Sequence, residues 1–174
     1  ILDTVMLGFL TGDLSVGLYS AATKLTKMVK ELITSIISTF MPRSSYLIEQ
    51  KKDREYKNLV DKVIGVVFFL SMPAAMGLFF LAEPLTVIFA GEKYLDSVPT
   101  MQLLSIYIIF ASFNSYLNHL ILTPNRLERF MLYAQIAALI ANASLNWIFI
   151  LKGLKYGLKW AVFGAGLASL LVDF

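Results

Sequence analysis

Lys24, Lys27 and Glu31 fall on one face when residues 17–41 are turned as a helix at about 100° per residue. Ser20, Thr34, Ser35 and Ser38 join them, while Leu25, Val29, Leu32, Ile33, Ile36 and Phe40 take the other side. Two lysines against one acid, with Lys30 at the edge of the stripe, leave an excess of positive charge suited to an anionic ligand. Lys27 and Glu31 stand one turn apart, within reach of pairing. Charge at membrane depth is costly, so such a stripe faces either a water-filled, substrate-lining cavity or another protein surface. The competing reading is a dry polar seam between helices, closed by the Lys27–Glu31 pair. Weaker polar faces follow: Asn114 with Asn118, near Ser115 and His119, and further on Gln135, Asn142 and Asn146. These amides either line the same cavity or hydrogen-bond between helices. Asp3, inside an apolar run, is a candidate ion-coupling carboxylate, with Glu31 as the second; the alternative for Asp3 is a cap or a salt bridge to another helix. His119 stands alone, either as a satisfied interfacial residue or as a proton relay.

Other chemistry is excluded. The chain has no cysteine, so disulfides, thiolate metal sites and a cysteine nucleophile are ruled out. No HExxH, GxSxG or paired catalytic carboxylates occur, and no cluster of metal-ligand type. Gly164-Ala165-Gly166 lacks the following GK[ST] of a phosphate loop; with Ala161, Ala168 and Ser169 it has the small-residue spacing of close helix packing instead. The expectation is a protein with no catalytic residue, no metal and no cofactor: a transporter and not an enzyme.

The elements that hold these residues are set by composition. Apolar residues make up 57% of the chain and charged residues 16%, with a mean hydropathy of +0.70. A soluble domain carries about 25% charged residues. The expected fold is all-α, a polytopic transmembrane helix bundle of about five and a half spans within one lobe covering residues 1–174. The spans are expected at 1–10 (partial), 17–41, 61–82, 99–122, 127–151 and 160–174 (partial). TGDLSV (11–16) reads as a turn, 42–58 as a long polar loop, 84–90 as a short interfacial helix, and 91–98 and 152–159 as loops. Pro73 falls inside the third span, where a kinked helix is tolerated. The net charge of +3 points to loops beside anionic membrane lipids and not to nucleic acid. Lys and Arg number seven in the 42–58 and 123–130 segments against four in 91–98 and 152–159, which predicts the first two in the cytoplasm. Because the chain opens on Ile and stops at Phe174 inside an apolar run, it reads as part of a longer polytopic protein.

Several short stretches, in order, carry a family resemblance: DTVMLG (3–8), VGLYSAATK (16–24), PRSS (42–45), then Pro73, Gly77-Leu78, Leu81-Ala82, Gly91 and Tyr94. LTPN (122–125), Asn142 with Leu145-Asn146, and Tyr156-Gly157 followed by GAGLAS (164–169) continue it. Together they resemble the polysaccharide-type flippases of the multidrug/oligosaccharidyl-lipid/polysaccharide exporter superfamily. LKGLKYGLKWAVFGAG (151–166) departs from the pattern, having no proline before Tyr-Gly. The resemblance implies two six-helix lobes around a central cavity, of which this chain is the C-terminal one, with an N-terminal lobe as its partner. It implies alternating access that carries undecaprenyl-diphosphate-linked oligosaccharide, as for lipopolysaccharide or O-antigen export, across the bacterial or archaeal cell membrane, with the 17–41 helix lining the cavity. Alternative readings are a relative exporting drugs or peptidoglycan lipid precursor, a membrane glycosyltransferase or ligase whose catalytic part lies elsewhere, and a structural subunit with dry stripes.

Overall fold

The computed structural model describes residues 2–172, and among them there is no strand. The helices run α1 (Leu2–Thr11), α2 (Asp13–Ser38), α3 (Met41–Glu49), α4 (Asp53–Phe80) and α5 (Ala82–Ala90). A 3-10 turn (Glu92–Ser97) leads into α6 (Val98–Tyr116), which widens into a π-turn (Leu117–Leu122); α7 (Glu128–Leu154) and α8 (Leu158–Val172) follow. Ile1, Asp173 and Phe174, the ends of the two expected partial spans, lie outside the described residues. Three segments are long and apolar enough to cross a membrane: Asp53–Phe80, Glu92–Leu122 and Glu128–Leu154; α1 and α8 are shorter apolar helices. At 26 residues α2 is as long, about 39 Å, and only its polar stripe sets it apart. The chain is an all-α membrane helix bundle.

Three boundaries differ from expectation, each for a local reason. The turn expected at 11–16 shrinks to Gly12, whose φ of 84° only glycine adopts freely, so α2 begins at Asp13 and ends at Ser38, before Pro42. The 42–58 segment is not a loop. Pro42 sits in the first turn of α3, where its missing N–H costs no hydrogen bond. Asp53 and Glu55 open α4, their negative charge matching the positive end of the helix dipole, so only residues 50–52 stay outside helix. Likewise α7 continues through Lys152 to Leu154, leaving three residues before α8. Pro73 lies inside α4 without ending it, and α5 forms where the short interfacial helix is expected.

The core lies around α6. Ile33 and Ile37 of α2, Val63, Val67 and Leu78 of α4, and Met101, Leu104 and Ile108 of α6 form one buried cluster. A second joins Leu7 of α1 and Leu18 of α2 to Ile150 of α7 and Val162 and Ala165 of α8. The small-residue run does what its spacing predicts: a Cβ on Gly164 would stand 2.6 Å from the Phe149 carbonyl oxygen, so α7 and α8 meet backbone to backbone.

One proline explains how an end of the bundle is held. The Leu120 carbonyl would take the N–H of residue 124, but Pro124 has none. Ser44 Oγ donates to that oxygen at 2.8 Å and Tyr56 OH at 3.1 Å, drawing α3 and the start of α4 onto the 117–126 turn. The basic 42–58 segment and the 123–130 turn therefore share one end.

Candidate functional site

The packed side of α2 is defined by Ala22, Thr26, Ile33 and Ile37, all buried; Thr26 satisfies its hydroxyl on the Ala22 carbonyl at 2.9 Å. Lys24, Lys27, Glu31 and Ser35 are exposed on the opposite side. The stripe read from the sequence thus points away from the bundle's own core. The Lys27–Glu31 pair of the competing dry-seam reading does not form: among the described residues the one ion pair is Lys52–Glu55, at 3.5 Å. With the lysine N-terminal to the glutamate, the i,i+4 order is the weaker one, and on an exposed face water competes for both groups.

Lys27 instead reaches the mouth of a cavity of about 130 Å³ between α1, α2, α6 and α8. Asp3, Tyr19, Thr23, Tyr107 and Ser169 also line it, so an acid and a cation from different helices share one polar hollow. The Tyr19 and Ser169 hydroxyls lie 3.2 Å apart, closing the hollow between α2 and α8. Asp3 is held from α7: Asn146 Nδ2 donates to Asp3 Oδ1 at 2.6 Å and to Asn142 Oδ1 at 2.9 Å. Asn146 is fully buried, and its own Oδ1 has no donor among the described residues. Neither Asn142 nor Asn146 lines the Lys27 hollow; Asn146 bonds between helices, to Asp3, while Asn142 bonds Asn146 within α7, and Gln135 is exposed and joins neither.

The stripe is flanked by α6. Lys30 Nζ lies 5.9 Å from the centre of the Tyr107 ring, at cation–π range, and the Thr34 and Ser115 hydroxyls meet at 3.1 Å. Asn118 Nδ2 donates to Asn114 Oδ1 at 2.5 Å, one turn from the Thr34–Ser115 contact. His119 Nδ1 is bonded to the Ser115 carbonyl at 2.8 Å, one turn back on its own helix.

Two contributors were not among the candidate site residues. Tyr107 lies seven residues before Asn114, two helical turns, and that spacing was a legible signal. Lys93 has no such signal. It lines a cleft of about 480 Å³ with Lys24 and Ser20, carried there by the 3-10 turn. Gly17 permits this approach, since a Cβ on it would stand 3.3 Å from the Tyr94 ring. Each side of the cleft brings one cation and one apolar residue, Lys24 and Met28 from α2 and Lys93 and Phe89 from the turn and α5.

A family described as polysaccharide biosynthesis protein matches residues 1–99, which cover α1 to α5 and the whole of the α2 stripe. No curated protein and no solved structure matches the chain.

Proposed function

The chain belongs to the polysaccharide biosynthesis protein family, and on that premise we propose that it is one lobe of a flippase that carries lipid-linked oligosaccharide across the cell membrane. The observation that supports this most is the cationic face of α2. Lys24 and Lys27 stand exposed on a membrane-length helix, turned away from the lobe's own core. An unpaired lysine facing hydrocarbon would be expensive, so this face is matched to water and to a second lobe across a central cavity. An anionic lipid headgroup such as a prenyl diphosphate is drawn to Lys24 and Lys27, with Lys93 further along. Asn114 and Asn118, beside the stripe, offer amide groups to a sugar. Rocking of the two lobes then exposes the cavity to each face in turn.

Asp3 and Glu31 are the coupling candidates. The Asp3 carboxylate shares its hollow with Lys27, so a cation or proton taken up there alters the charge that the headgroup meets. The sides follow from the basic residues: the α3 end in the cytoplasm, the 91–97 end outside.

The test is Lys24→Gln with Lys27→Gln in the full-length protein. The expected result is lipid-linked oligosaccharide accumulating on the inner leaflet at normal protein abundance. Unimpaired translocation would refute the reading.

A further inference from the structure

Along α4 the sequence changes from DREYKNLVDK (53–62) to a run without charge from 63 to 82. That change marks the depth at which the helix passes from lipid headgroups into hydrocarbon. At this level a cleft of about 350 Å³ opens between the end of α2, α3 and α4. Arg43 and Lys62 line it, with Asn58 beside them and Phe40, Val63 and Val66 as its apolar wall. Neither cation has an ion-pair partner among the described residues, and Glu55, also on the cleft, is engaged by Lys52 at 3.5 Å. The cleft thus pairs two available cations and an amide with an apolar floor, at headgroup depth.

Its surroundings identify the occupant. Phe40 also packs against the main core, and the cleft shares no lining residue with the hollow at Lys27 or the cleft at Lys24. Beyond it α4 exposes Val66, Phe69, Met76 and Phe80, an uncharged surface suited to acyl chains. We propose that this cleft binds the phosphate headgroup of an anionic phospholipid from the surrounding leaflet, its acyl chains lying over Val66 and Phe69. Arg43 supplies the planar, forked donor set that matches phosphate oxygens, and Lys62 adds a point charge from the neighbouring helix. The bound lipid bridges α3 to α4, and its binding is independent of what the α2 face transports.

The experiment titrates fluorescent phosphatidylglycerol into the purified full-length protein in neutral detergent, with phosphatidylcholine as reference. Each near-surface cation contributes about fivefold to anionic-lipid affinity, so Arg43→Gln with Lys62→Gln is expected to weaken phosphatidylglycerol binding about 25-fold, towards the phosphatidylcholine level. Arg43→Lys with Lys62→Arg keeps most of the affinity. Lys51→Gln with Lys57→Gln removes the same charge outside the cleft and leaves binding within about twofold. An equal loss in that control pair would show diffuse surface charge and overturn the site, as would unchanged binding in the Arg43/Lys62 variant. Displacement of phosphatidylglycerol by equimolar undecaprenyl diphosphate would overturn it in favour of a cargo station.

Discussion

Lys27→Gln separates the cavity reading from the packed-seam reading, because the structure assigns the two different costs. Lys27 is exposed and has no ion-pair partner among the described residues, and Glu31 is exposed as well. Removing a charge at such a position changes stability by no more than about 0.5 kcal/mol. A buried Lys–Glu seam would instead lose about 3–5 kcal/mol on breaking, enough to remove the protein from the membrane. If Lys27 meets a diphosphate oxygen, the lost charge-assisted hydrogen bond is worth about 1.5–3 kcal/mol, or roughly 10- to 150-fold in headgroup affinity. The assay measures lipid-linked oligosaccharide reaching the outer leaflet in cells lacking the native gene, normalised to protein abundance in the membrane. Expected are near-normal abundance, a large drop in translocation for Lys27→Gln, and partial retention for Lys27→Arg. A collapse in abundance would refute the exposed placement. Full translocation by the variant lacking both Lys24 and Lys27 would refute the role of the charge.

Other expectations follow from single contacts. Asn146→Leu removes the hydrogen bond that holds Asp3 and the one to Asn142 and should lower stability by about 2–4 kcal/mol, read as a lower melting temperature. Combining it with Asp3→Leu should recover most of the loss, and equal losses in both variants would contradict the pairing. Gly164→Val should cost about 1–3 kcal/mol or more, because its Cβ would be driven to 2.6 Å from the Phe149 oxygen. Gly77→Ala, with nothing within 4 Å, should be near neutral or stabilising in the same melting assay. For topology, the chain has no native cysteine, and Lys51 and Asp96 are both exposed. With single cysteines at these positions in the full-length protein, an impermeant thiol reagent should label 96 and spare 51 in intact cells. Ser97 is fully buried and would report nothing.

What the sequence determined by itself are the properties that repeat locally. A chain 57% apolar and 16% charged has too few polar groups to be stable in water as a bundle of this size, so membrane helices follow from composition. The polar face of α2 follows from the 3.6-residue repeat, and the tight α7–α8 contact from the small residues of α8. Tertiary structure alone decided the partners. The 42–58 stretch reads as loop because it is polar; it is largely helical, and only the tertiary structure shows where it docks, with Ser44 donating to the Leu120 carbonyl that Pro124 leaves open 76 positions away. Asp3 finds Asn146 across 143 positions, so its partner on another helix is a buried amide of α7, which local sequence does not name. Lys24 and Lys93 share a cleft because Gly17 lets Tyr94 close on α2. Periodicity states which way a side chain points from its own helix axis. Which residue it meets depends on how the helices register against one another, and that is set by the packing of all of them at once.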